Sequence, residues 1–198
     1  TDPHLEVIAG TMFSGKTKEL LRRLSIYRAA DLKTQVIKPD LDTRYGINKA
    51  ATHDGICETA DYVERDDFNQ FKAAVKLETD VIGVDEVQFF GNGLVGVCNE
   101  LIEVQGKIVV VSGLLNDYQE KPFPTMHELM RYADDLDLLK ALCQYRQHQR
   151  AKICGTPATR VIFLGEDTSA DQDKPLIKIG GVESYSPRCR FHYNLAKK

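Results

Sequence analysis

Three groups of residues in this chain have the types and spacing to do chemistry. The first is Gly10-Thr11-Met12-Phe13-Ser14-Gly15-Lys16-Thr17, which fits G-x-x-x-x-G-K-[ST], the phosphate-binding P-loop. In such a loop the glycines let the backbone wrap so that its N–H groups face phosphate oxygens. Lys16 then reaches the β- and γ-phosphates, and the Thr17 hydroxyl ligates Mg²⁺. The second group is Asp85-Glu86 at the end of an apolar run. There one carboxylate can face the metal and the other the reacting centre, where it can take a proton from a hydroxyl. The third is Cys189-Arg-Phe-His192, a C-x-x-H pair suited to one Zn²⁺, with Cys154 before Gly155 as a further knuckle ligand. The fourth ligand is either Cys143 or His148, with Cys143 favoured. Four protein ligands make a closed, structural site.

These groups need elements to hold them. Leu5–Ala9 reads as a short strand before the P-loop, and Leu20, Leu21, Leu24 and Tyr27 recur at helical spacing after it. Strand, glycine loop and helix aim a helix N-terminus at an anion, so the first group is a nucleotide site. Gln35–Lys38 reads as a second strand, and 42–60 as a functional loop with little regular structure. A helix is expected over 66–77 with Asp66 as its cap, and another around 94–104. The apolar runs 80–85 and 107–113 read as buried parallel strands. Residues 125–142 carry a helix-type pattern, and from about 143 the texture changes to Cys, His, Gly and Pro turns with short β-like pieces at 160–164 and 176–179. Alternating strands and helices indicate an α/β fold with a mostly parallel sheet. The expected division is a nucleotide-binding domain, 1–142, and a small zinc-binding domain, 143–198.

The totals narrow the function class. A chain of 198 residues with 42% hydrophobic content can bury a real core. A net charge of −3 lacks the basic bias of a nucleic-acid-binding domain. No apolar run approaches the roughly 18 residues of a membrane span, and no signal peptide opens the chain, so the expectation is cytoplasmic, with no membrane and no nucleic-acid partner. Five cysteines, an odd number, argue against a disulfide scaffold.

Several motifs in register resemble the cytosolic, type II thymidine kinases. Gly10–Thr17 followed by Glu19-Leu20-Leu21-Arg22-Arg23 is similar to that family's start. So are Val36-Ile37-Lys38, Asp42-Thr43-Arg44-Tyr45, Thr52-His53-Asp54, Asp85-Glu86-Val87-Gln88-Phe89-Phe90, Lys121-Pro122-Phe123, Ile179-Gly180-Gly181 and Tyr185 before Cys189-Arg190. The resemblance implies a RecA-like P-loop kinase domain with a zinc-ribbon-like C-terminal domain. It implies transfer of the ATP γ-phosphate to the 5′-hydroxyl of thymidine in nucleotide salvage for DNA synthesis, by a homotetramer inhibited by dTTP. Glu86 would be the general base, and Thr17 and Asp85 would hold Mg²⁺. Asp42, Thr43, Arg44, Asp85 and Gln88 would line the ATP site with the P-loop. Met12, Phe89, Leu114 and Tyr118 would surround the base. Tyr185 and the backbone of Leu176, Ile177, Lys178, Ile179 and Gly180 would clasp the nucleoside, under a flexible loop at 165–175.

The chain departs from the family's pattern in three places. Leu114-Leu115-Asn116-Asp117 stands where members often read Leu-Asp. The stretch from Cys143 to Cys154 is longer than the usual C-x-x-C, with Ala151 at the counted ligand position. Val161 stands where many members carry threonine near the base. Two other readings remain in play: a RecA-like ATPase whose zinc ribbon grips nucleic acid, and a kinase for another deoxynucleoside, deoxyuridine included.

Overall fold

In the computed structural model, residues 2–40, 49–51, 57–146, 152–165 and 180–196 are described. The strands are β1 (Leu5–Gly10), β2 (Thr34–Pro39), β3 (Lys49–Ala51), β4 (Cys57–Thr59), β5 (Asp61–Val63), β6 (Val81–Val84), β7 (Ile108–Leu114), β8 (Asp135–Leu139), β9 (Ala141–Leu142), β10 (Pro157–Ala158), β11 (Arg160–Phe163) and β12 (Tyr185–Arg188). The helices are α1 (Lys16–Ala29), α2 (Phe68–Ala74), α3 (Gly93–Glu103), α4 (Pro124–Tyr132) and α5 (Arg190–Ala196), with a 3₁₀ turn at Val87–Phe89.

Six strands form one sheet in the order β5-β2-β6-β7-β1-β8, and every neighbouring pair is parallel. The fold is therefore α/β, as the unbroken apolar runs require of strands covered on both faces. Alternation along the strands sorts the core into two layers. Leu5, Val7 and Ala9 pack with Phe71 of α2, Leu94 and Leu101 of α3 and Met126 and Leu129 of α4. Ile8 faces the other way, with Val36, Val110 and the Leu20, Leu21 and Leu24 stripe of α1. Parallel strands all point their C-terminal ends to one edge, and that edge gathers the P-loop after β1, Asp85 after β6 and Leu114 at the end of β7.

Three local expectations change. The helical pattern over 125–142 ends at Tyr132, and Asp135–Leu139 is an edge strand paired with β1. Tertiary pairing outweighs the leucine spacing because Arg23 of α1 stands beside the strand. Its Nη1 bonds Asp135 at 2.7 Å and Glu6 at 2.5 Å, and its Nη2 bonds Asp137 at 2.6 Å. The cap of α2 is Asp67, whose side chain accepts from the Gln70 amide at 2.8 Å, in place of Asp66. The described part of 42–60 holds an antiparallel pair, β3 with β4. Beyond the main sheet, β9 pairs with β10 and β11 with β12, both antiparallel, and α5 closes the described chain. Helix α5 carries no expectation from the sequence.

Candidate active site

The P-loop leaves β1 at Gly10 and enters α1 at Lys16. Gly15 holds φ 87°, a left-handed backbone that glycine adopts without strain and that the turn into the helix requires here. Lys16 is buried, and its Nζ donates to the Thr11 carbonyl at 2.7 Å, so the cation already sits inside the loop. Ser14 Oγ donates to the same carbonyl at 2.9 Å. Phe13 (φ 64°) turns its ring away from the loop and against the Cys143 and Cys189 cluster. The backbone amides of the loop and of the first turn of α1 are the groups suited to phosphate oxygens.

Asp85 is the hub of the sheet edge. The Thr17 hydroxyl donates to its Oδ2 at 3.0 Å, the Ser112 hydroxyl of β7 donates to Oδ1, and Lys38 Nζ of β2 lies 3.4 Å from Oδ2. Lys38 and Asp85 side chains are both 2% exposed, which makes theirs a buried ion pair. Thr17 Oγ1 and Asp85 Oδ2 also fit a shared Mg²⁺, since adjacent ligands of an octahedral ion with 2.0–2.1 Å bonds lie about 2.9 Å apart.

Glu86 follows in a strained backbone, φ 56° and ψ 43°, which non-glycine residues seldom adopt. That conformation breaks the strand and starts the 3₁₀ turn. Gln88 Nε2 donates to the Glu86 carboxylate at 2.5 Å, and the Gln88 Oε1 accepts from the Leu114 amide at 2.9 Å. Gln88 therefore fixes Glu86 to the end of β7. Gly113 makes this possible, because a Cβ there would stand 2.7 Å from Val87 Cγ2 and 2.8 Å from Gln88 Oε1. Gly113→Ala is expected to cost about 1–3 kcal/mol by overpacking. It should also lower turnover by shifting Gln88; thermal melts and initial rates on the same variant check both.

An aromatic group forms between the loop after β7 and the β11–β12 pair. Tyr118 lies with ring centroids 5.6 Å from Phe163 and 6.3 Å from Tyr185, and Phe163 and Tyr185 are 5.4 Å apart. A cavity of about 300 Å³ opens nearby, lined in part by Gly10, Thr11, Asp117, Arg160, Val161 and Arg190. Burial raises the carboxyl pKa of Asp117, while its Oδ1 accepts from the Gln119 and Lys121 amides and shapes the loop.

The cysteine–histidine cluster assembles from three segments. Sγ of Cys143, Cys154 and Cys189 and a ring nitrogen of His192 all lie within 4.8 Å of one another. Either side of 147–151 the backbone pairs antiparallel: Arg146 bridges Ile153, the Cys154 amide donates to Tyr145 O, and the Gly155 amide donates to Cys143 O. His192 Nδ1 is 3.3 Å from Cys189 Sγ and 3.6 Å from Cys143 Sγ, and Tyr145 stacks on its ring at 3.9 Å. A tetrahedral ion with Zn–S bonds near about 2.3 Å and Zn–N bonds near about 2.0 Å wants sulfur–sulfur separations of about 3.8 Å and sulfur–nitrogen separations of about 3.5 Å, so these donors fit zinc with small adjustments. A hydrogen bond with Thr156 lowers the Cys154 pKa, whereas burial raises that of Cys143. Cys98 stands apart as a core thiol, pushed by burial up to about 12.

A family described as thymidine kinase matches residues 3–193. The chain belongs to the thymidine kinase family. A thymidine kinase of Pyrobaculum aerophilum is 41% identical over 190 residues, covering 96% of this chain and 97% of that one. A thymidine kinase of Coprothermobacter proteolyticus is 40% identical over 197 residues, covering 100% of this chain and 93% of that one. Among solved structures, domain III of the Thermotoga maritima replication initiation protein DnaA is similar at a TM-score of 0.40 and 17% identity, over 69% of this chain and 55% of that one. That likeness is too loose to bear on function.

For this thymidine kinase family member, the structure brings Lys16, Thr17 and Asp85 to one edge, with Glu86 and Gln88 beside them. It brings Tyr118 to Tyr185, and Cys143 to Cys154, Cys189 and His192. Phe89 is buried in the 3₁₀ turn, and Leu114 is half-buried at the end of β7. Met12 is half-buried within the P-loop. Asp42, Thr43, Arg44, His148 and Leu176–Ile179 lie outside the described residues, as does most of 165–175. Ser112, Phe163, Arg160 and Tyr193 join the site without having been singled out in the sequence, and Lys38, part of the Val36-Ile37-Lys38 motif, joins it with no role assigned there. Phe163 is an aromatic in the β-like piece 160–164 and was open to notice; Lys38 and Ser112 become visible only once β2, β6 and β7 are neighbours.

Proposed function

We propose that this chain is a thymidine kinase, transferring the γ-phosphate of ATP to the 5′-hydroxyl of thymidine to give dTMP. One observation carries the reading. A P-loop, a buried Asp85 hydrogen-bonded to Thr17, and Glu86 meet at one sheet edge, and a cavity of about 300 Å³ opens against Gly10 and Thr11 of that loop.

The roles follow from chemistry. Lys16 and the backbone amides of Gly10–Lys16 hold the β- and γ-phosphates. Thr17 and Asp85 hold Mg²⁺, which neutralises developing charge on the transferred group when bound. Glu86, anchored by Gln88, accepts the proton of the 5′-hydroxyl. Tyr118, Phe163 and Tyr185 offer apolar faces to the base, with Met12, Phe89 and Leu114 completing the pocket. Arg44 and its neighbours Asp42 and Thr43 serve ATP, and the backbone of 176–180 serves the nucleoside under the loop at 165–175. The kinase unit spans 1–142. The unit 143–198 is a zinc-ribbon-like clasp stapled by Cys143, Cys154, Cys189 and His192.

The same reading makes the protein a cytoplasmic salvage enzyme, a homotetramer inhibited by dTTP. No helix among the described residues is long and apolar enough to cross a membrane.

Initial rates with labelled ATP and Mg²⁺ test the function. Thymidine, deoxyuridine, deoxycytidine and purine deoxynucleosides are compared with a control lacking acceptor. Phosphorylation of thymidine first among them, with little ATP loss in the control, is the expected result. Equal ATP consumption without nucleoside would make the protein an ATPase. Metal removal is a separate prediction: a zinc-selective chelator should release about one zinc per chain by elemental analysis. It should also lower the melting temperature.

A further inference from the structure

We propose that Tyr193 is a positioning residue that couples the metal cluster to the nucleoside side of the active site. The proposal deepens the function above and rests on reading Tyr118, Phe163 and Tyr185 as that side.

Cys189 directly precedes α5, and His192 and Tyr193 both belong to its first turn. The Tyr193 amide donates to the Cys189 carbonyl at 2.9 Å. Two metal ligands and Tyr193 therefore move as one helical turn, and closing Cys189 and His192 on an ion sets where Tyr193 stands. One residue further round a helix is about 100°, so when His192 faces the thiols Tyr193 faces elsewhere. It faces the kinase unit. Its side chain is 1% exposed, and its hydroxyl donates to the Tyr118 carbonyl at 2.9 Å.

A second tie reaches the same loop. The Arg160 guanidinium sits 5.8 Å from the Tyr193 ring centre, and its Nε donates to Glu120 at 2.7 Å. Tyr118 and Glu120 are thus both held from the metal-bearing unit, with Gln119 between them. The carbonyl of Tyr118 and its ring share one Cα. Fixing the first restricts where the second stands against Phe163 and Tyr185.

One contact of the same unit with the P-loop runs through Phe13, which packs against the cluster of Ala141, Cys143, Ala158 and Cys189. Removing the Tyr193 hydroxyl leaves that contact alone. The effect is therefore confined to the nucleoside, which separates positioning from a general loss of structure.

The test uses Tyr193→Phe, which keeps the ring and its packing. Hydrogen exchange over residues 114–121 is measured for the variant, for wild type, and for wild type treated with a zinc-selective chelator. Michaelis constants for thymidine and ATP are measured for the two proteins. Faster exchange of 114–121 in the variant and after chelation is expected. The thymidine KM should rise about three- to tenfold, the range one neutral hydrogen bond commands, with the ATP KM changed less than about twofold. Unchanged exchange in the variant, or a fall in melting temperature with neither KM moved, overturns the proposal. So does an equal rise in both constants. If exchange responds as expected while wild type phosphorylates no nucleoside, the coupling stands and the kinase reading falls.

Discussion

Glu86→Gln is expected to lose turnover by about 10²–10⁴-fold, the contribution a positioned general base makes, while ATP binding stays near that of the parent. The amide has the size of the carboxylate and can still accept from Gln88 Nε2 through its carbonyl, so the turn at Val87–Phe89 should keep its shape. What it loses is the ability to take the proton of a 5′-hydroxyl as the O–P bond forms. The loss should therefore fall on kcat, and KM for ATP should change little. The strained backbone at Glu86 supports this placement, because φ 56° is maintained against an ordinary strand continuation. Single-turnover rates and equilibrium ATP binding on one preparation check the split. A variant within a few-fold of parental turnover would remove Glu86 from the base role.

Lys38→Met is expected to be the most destabilising single change at the site. Lys38 and Asp85 are both 2% exposed and 3.4 Å apart, and Met removes the cation while filling a similar volume. Breaking a buried pair from one side leaves the other charge in low dielectric and costs about 3–5 kcal/mol. For a chain of this size that corresponds to a fall in melting temperature on the order of 10 °C. The companion change Lys38→Met with Asp85→Asn should recover part of the stability, since no lone charge is left behind, yet recover no activity, since the carboxylate proposed to hold Mg²⁺ is gone. Thermal melts on the single and double variants, with rates on both, distinguish a stability role for Lys38 from a role in chemistry. If the single variant melts with the parent, the pair does not hold this edge together.

The P-loop half of the candidate site was legible along the chain because its parts are contiguous. A P-loop is a local structure: glycines, lysine and threonine within eight positions set the turn, the buried cation and the helix start without help from afar. Asp85-Glu86 was legible because an apolar strand ending in acid can place that acid only at a sheet edge. Within the metal cluster, Cys189 and His192 were legible from their spacing on one turn. Cys143 competed with His148, because sequence distance says nothing of the antiparallel bridge that brings Arg146 to Ile153 and Cys154 back to Cys143.

Other features became visible only in the fold. The leucines of 129–139 suit a helix, and β8 forms there because β1 offers unpaired hydrogen bonds and Arg23 offers partners for Asp135 and Asp137. Lys38, Ser112 and Asp85 come from three strands far apart in the chain, and the order β2-β6-β7 makes them touch. Tyr193 and Tyr118 are likewise distant until α5 docks. From residue order alone came the phosphate loop, the acid pair, the α/β class and the family resemblance, each resting on short-range geometry or a run of local patterns. The tertiary structure supplied the edge strand, the buried cation beside Asp85, the gathering of Cys143 with Cys154, Cys189 and His192, and the tie from Tyr193 to Tyr118. Those depend on hydrogen bonds and packing between segments whose proximity no local pattern encodes.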